Sequence, residues 1–79
     1  MSDLLEYTIK TAVVAWGEEQ FKTTDIFCYT FPDEYEADRF IVVFAVAGLE
    51  GWRAVEAWVE DNAVVSINDL GEGVPPDGA

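Results

Sequence analysis

The sequence predicts a small α+β domain: an antiparallel sheet of about four strands with one helix packed on it, in the order β-β-β-α-β. Three observations point there. The 79 residues are 51% hydrophobic and 14% aromatic, enough for a core but for only one domain. Phe40-Ile41-Val42-Val43-Phe44-Ala45-Val46 is an uninterrupted apolar run of strand length. Leu49, Trp52, Val55 and Val59 fall on one side of a helix.

Leu4 to Trp16 satisfies two periods. Tyr7, Ile9, Thr11, Val13 and Ala15 alternate as in a strand, and the density of β-branched residues favours that reading. The competing reading is a helix, with Asp3-Leu4-Leu5-Glu6 as a capping box and Ile9, Val13 and Trp16 at helical spacing. Gly17-Glu18-Glu19-Gln20 then reads as a turn.

Phe21 to Phe31 is strand-like, with Phe27, Tyr29 and Phe31 on one face and Ile26 and Cys28 on the other. Pro32 stops it, and Asp33-Glu34-Tyr35-Glu36-Ala37-Asp38 follows as an acidic loop or single helical turn. Arg39 to Ala47 is the clearest strand and is expected to be central, covered on both faces.

Trp52 to Asp61 is expected to be the helix, ended by Asn62 in the left-handed conformation, with a short last strand at Ala63–Ile67. The alternative makes Trp52–Ile67 a hairpin around Asp61-Asn62. Residues 1–70 form the expected compact domain, and 71–79 read as a flexible acidic Gly/Pro tail. One short helix is a thin cover for so many aromatics, so both monomer and homodimer stay open.

The chemistry that is missing narrows the function. No His is present, which removes the commonest general base and metal ligand. Cys28 stands alone, so neither a disulfide within the chain nor a multi-cysteine zinc site can be assembled; it reads as a small buried apolar residue. No glycine-rich phosphate loop occurs, since Gly71-Glu72-Gly73 lies among acids. The acidic stretches lack the central Gly and spacing of a calcium loop. Carboxylate pairs such as Asp33/Glu36 or Glu56/Glu60 read as solvated surface acids rather than an acid–base pair. No catalytic residue, metal or cofactor is expected. Met1-Ser2-Asp3 opens with an acid rather than a basic region, and no apolar run approaches the roughly 20 residues needed to span a bilayer. A cytoplasmic protein in a bacterial host is the expectation.

Charge is the dominant feature. Sixteen Asp and Glu oppose four Lys and Arg, a formal charge of −12, against a magnitude of about 2–8 for a typical small soluble domain. That sign disfavours direct contact with nucleic acid or anionic membrane and favours a basic protein surface. The candidate partner-binding residues are Glu18, Glu19, Asp33, Glu34, Glu36, Asp38, Glu50, Glu56, Glu60 and Asp61, with Trp58 as an exposed anchor. Duplex DNA carries one charge per about 1.7 Å of axis, a density that a dozen uncompensated carboxylates on a compact domain approach.

In its size, its charge of −12 and acidic clusters such as Asp33-Glu34-Tyr35-Glu36-Ala37-Asp38, the chain resembles the small acidic DNA-mimic inhibitors made by phages, including anti-CRISPR proteins. The resemblance implies a non-enzymatic inhibitor occluding the crRNA- or DNA-binding groove of a CRISPR effector. Two alternatives stand beside it. One is an immunity protein or antitoxin masking a basic toxin. The other is an oligomeric structural or assembly subunit in which Trp16, Trp52 and Trp58 matter more than the acids.

Overall fold

A computed structural model describes residues 3–23 and 25–74. These residues form one helix, α1 (Asp3–Phe21), then four strands: β1 (Ile26–Pro32), β2 (Arg39–Val46), β3 (Arg53–Glu60) and β4 (Ala63–Glu72). The strands make an antiparallel meander in the order β1-β2-β3-β4. The α+β class and the four-stranded antiparallel sheet with one helix are as expected. The order is not: the helix comes first, giving α-β-β-β-β.

The first correction is residues 4–16, a helix rather than a strand. Leu5, Ile9, Val13 and Trp16 recur at helical spacing and pack on the sheet, with Ile9 and Val13 fully buried. Of the alternating set, Tyr7, Thr11 and Ala15 are exposed, so the period-2 pattern has no buried counterpart. The helix continues through Gly17-Glu18-Glu19-Gln20, which is therefore no turn, and through Phe21. A Cβ on Gly17 would lie 2.7 Å from Ile26 Cδ1, so its bare backbone lets the helix approach β1 closely. The helix ends at Lys22, at φ 57°, whose N–H donates to the Glu18 carbonyl at 2.9 Å.

The second correction is residues 52–61, a strand rather than a helix. Arg53, Val55, Ala57 and Val59 alternate onto the helix side of the sheet, with Val55 and Ala57 fully buried. Asp61 and Asn62, at φ 53° and 62°, form the two-residue connection between Glu60 and Ala63. Two consecutive left-handed residues are the requirement of a type I′ hairpin turn, which Asp and Asn tolerate. Asn62 thus has the expected conformation in a different role. The last strand runs on to Glu72, with a register shift where Gly71 adopts φ 85°. Gly71 and Glu72 thus belong to the sheet, and the Gly73 N–H just beyond it donates to the Trp52 carbonyl at 2.8 Å; 75–79 lie outside the described residues.

The core lies between helix and sheet. Phe40, Val42, Phe44 and Val46 of β2 and Val55, Ala57 and Val59 of β3 meet Ile9 and Val13, with Ile26, Cys28, Val64 and Ile67 at its margin. Phe44 is fully buried, edge-on to Trp16 at 6.1 Å and tilted against Phe21. Burying such a ring contributes about 1.5–3 kcal/mol. Trp16 is thus half-buried and packed against the core. Cys28 is half-buried against the core, and desolvation raises its pKa while the Lys10 charge opposes the rise. Strand β2 is interior, but the helix covers only one of its faces. Among the described residues no helix is long and apolar enough to cross a membrane.

Candidate functional site: an acidic end and an open aromatic face

In a meander, alternate connections emerge at the same end of the sheet. The β1–β2 loop and the β3–β4 turn therefore lie together, and the Val59 N–H donates to the Asp38 carbonyl across them at 2.8 Å. Asp33 organises the loop. Its Oδ1 accepts the N–H groups of Tyr35 at 2.7 Å and Glu36 at 3.0 Å, an Asx arrangement that turns the chain back toward β2. Asp33, Glu34, Glu36, Asp38, Glu60 and Asp61 are thereby gathered at one end of the molecule.

Arg39, at the start of β2, is the cation at this end. Its Nε donates to Glu56 and its Nη1 to Asp33, and Asn68 donates to the other Glu56 oxygen at 2.9 Å. The carboxyl pKa of Asp33 is lowered, first by the Tyr35 and Glu36 amides and then by Arg39. That of Glu56 is lowered by hydrogen bonding from Trp58, Asn68 and Arg39, in that order. Glu56 and Asp33 in turn raise the pKa of Arg39. Two of the three guanidinium nitrogens, Nε and Nη1, are thus committed to these two acids. Among the described residues Glu34, Glu36, Asp38, Glu60 and Asp61 form no ion pair, and all five are exposed. In water two unit charges 10 Å apart repel by about 0.4 kcal/mol, so five gathered carboxylates make a negative field that salt attenuates.

The remaining candidates lie elsewhere. Glu18 and Glu19 sit in the last turn of α1, and Glu50 is in the β2–β3 loop, at the opposite end of the sheet. Lys22 and Arg53 dilute the acids there; Arg53 stacks 5.3 Å from the Phe21 ring centroid and donates to Asp69 at 3.2 Å. A cavity of about 460 Å³ at that end is lined by Leu49, Glu50, Trp52, Arg53 and Glu72 among others, mixing charges of both signs. Glu56 is not a helix acid one turn from Glu60. It lies on β3, half-buried and committed to Arg39.

The second feature is the sheet face away from α1. Strand alternation and register bring Phe27, Tyr29 and Phe31 of β1 beside Ile41, Val43 and Ala45 of β2, then Ala54, Glu56 and Trp58 of β3. Phe27 packs edge-on to Tyr29 at 5.6 Å, and Tyr29 meets Trp52 at 5.8 Å. Phe27 is 63% exposed and Phe31 41%, with Trp52 and Trp58 half-buried. Trp58 thus lies on an open face, although on a strand. The sequence reasoning missed Arg39, whose signal is its position as the one cation directly after the acidic loop. It also missed that the Phe27/Tyr29/Phe31 stripe faces outward. Among the described residues no three His, Cys, Asp or Glu side chains converge to hold a metal ion. No family model, curated protein or solved structure matches the chain, so the site is read from its own geometry.

Proposed function

We propose that the protein is a non-enzymatic inhibitor that binds the basic groove of a nucleic-acid-binding protein, its carboxylates standing where phosphates would. The observation that carries this reading is the acidic end: five exposed carboxylates from two connections, with the one nearby arginine committed to two other acids. Such a surface draws in a cationic groove and accelerates association. The molecule measures 34 × 26 × 21 Å, and at about 3.4 Å per base pair its long dimension equals about ten pairs of duplex.

Immobilised protein exposed to bacterial lysate, with captured proteins identified by mass spectrometry at low and moderate salt, tests the proposal. The expected result is a nucleic-acid enzyme that elutes as salt rises, is displaced by added duplex DNA, and is not captured by E34Q/E36Q/D38N/E60Q/D61N. Recovery of the chain alone, or of a partner indifferent to salt and to those substitutions, overturns it.

A further inference from the structure

The two edges of the sheet differ. Strand β4 is blunted: its pairing with β3 is irregular, Gly71 turns at φ 85°, and Asp69 and Glu72 lie along it. Strand β1 has no such protection. Ile26-Phe27-Cys28-Tyr29-Thr30-Phe31-Pro32 carries no charge, and its register with β2 is unbroken. A regular, uncharged edge of high strand propensity is a template for another strand.

Two hydrogen bonds fix which backbone groups face outward. The Ala47 N–H donates to the Asp25 carbonyl at 2.9 Å, and the Asp33 N–H donates to the Arg39 carbonyl at 3.1 Å. Both pairs continue the register of β1 with β2. In an antiparallel ladder bonded and non-bonded pairs alternate. The backbone groups of Phe27, Tyr29 and Phe31 therefore turn toward β2, and those of Ile26, Cys28 and Thr30 turn to the open edge. Pro32 falls in the outward set, where its missing N–H costs the sheet nothing. Among the described residues no hydrogen bond reaches these outward groups.

We infer that β1 accepts an extended segment of another protein as a fifth strand, one with alternating apolar residues and a lysine or arginine at each end. Charge selects that occupant. Asp25 and Glu34 flank β1, both exposed and neither in an ion pair among the described residues. Beside Asp25 lies a cavity of about 400 Å³ whose other walls are Ile26, Phe27, Ala45, Val46 and Ala47. Apolar walls with one carboxylate suit a long basic side chain, its stem against Phe27 and its charged head at Asp25. The same acids reject a second copy. Antiparallel pairing of two β1 strands, Cys28 opposite Thr30, sets Asp25 of one copy against Asp33 of the other at both ends, where like charges repel. The inference does not rest on the reading proposed for the acidic end, because main-chain groups along β1 do the binding.

A labelled peptide, Lys-Val-Thr-Val-Thr-Val-Thr-Val-Lys, titrated into the full chain tests the inference by fluorescence anisotropy and amide hydrogen exchange. The expected result is saturable binding that slows exchange at Ile26, Cys28 and Thr30 and leaves the β4 amides unchanged. The same peptide with Glu at both ends should bind about tenfold more weakly. Thr30→Pro removes one outward N–H and no bond within the chain, since the Thr30 hydroxyl has no partner. It should weaken binding about tenfold with an unchanged far-UV spectrum. Every charge is kept in that variant, so its effect is separate from that of the acidic end. D25K/E34K keeps every backbone group and should reverse the preference toward the Glu-ended peptide; E60K/E72K, the same change of charge on β3 and β4, should not. If Thr30→Pro does not fold, the charge reversal decides alone. No binding at millimolar peptide overturns the inference. So does undiminished binding by folded Thr30→Pro, protection on β4 instead, an unreversed preference in D25K/E34K, or sedimentation showing the chain pairing with itself through β1.

Discussion

Replacing Glu18 and Glu19 together by Gln should stabilise the protein. Both residues lie in the last turn of α1, which contains no basic residue, where the aligned peptide dipoles leave the equivalent of about half a negative charge. An acid there is repelled by the helix end, by about 0.3–1 kcal/mol at an exposed site. Two such acids sum to about 0.6–2 kcal/mol if they act independently. Gln and Glu have nearly equal helix propensity, so the change isolates charge. For a domain of this size each kcal/mol moves Tm by about 4–8 °C, and the double variant should melt about 3–15 °C higher at low salt. Thermal unfolding followed by circular dichroism measures the gain, and a repeat in about 1 M NaCl, where the Debye length is about 3 Å, should remove most of it. A lower Tm, or an equal gain at both salts, would refute the reasoning and mean that these acids support the fold.

Other outcomes follow from the same structure. Phe44→Ala removes a fully buried ring packed against Trp16 and Phe21; the loss of about 3–5 kcal/mol is most of the stability of a small domain, and urea titration should find the variant largely unfolded at low denaturant. Asn62→Val forces a β-branched side chain into the left-handed turn position and should cost about 1–2 kcal/mol, read as a lower urea midpoint with unchanged slope. Asp33 and Glu56 have lowered pKa values in the folded protein, so their stabilisation is complete above the unfolded carboxylate range near pH 4 and is lost as pH falls through the lower folded values. The Tm gap between wild type and D33N/E56Q should therefore be widest near neutrality and close toward pH 2; a gap that widens on acidification contradicts the assignment.

Much of the fold is legible along the chain, and the two errors share a cause. Residues 4–16 and 52–61 each carry two hydrophobic periods at once. Ile9 and Val13 serve an alternating face as well as a helical stripe, and Val55 and Val59 do the same. Side-chain branching then tilted the first segment toward a strand, and the propensity of Ala54, Arg53 and Ala57 tilted the second toward a helix. Punctuation was the better guide in both. Asp3-Leu4-Leu5-Glu6 does stand at a helix start, and Asp61-Asn62 does form a two-residue hairpin turn. The apolar run of β2 was unambiguous because a single strand-length run bounded by a polar loop and Gly48 admits no rival pattern. At the site, the acidity of 33–38 was plain, but its union with Glu60 and Asp61 depends on meander topology. The commitment of Glu56 to Arg39 depends on cross-strand register, which links residues 17 apart in the chain.

The central claim is that the acidic end binds a basic nucleic-acid groove, and its most direct measurement is a salt titration of affinity for the captured partner. Three proteins would be compared by calorimetry: wild type, E34Q/E36Q/D38N/E60Q/D61N, and E18Q/E19Q/E50Q at the opposite end. The account predicts an affinity that falls steeply with salt for wild type, a large loss with a flattened salt dependence for the five-residue variant, and little change for the third. Equal losses from both variants, or an affinity that salt leaves unchanged, would contradict it.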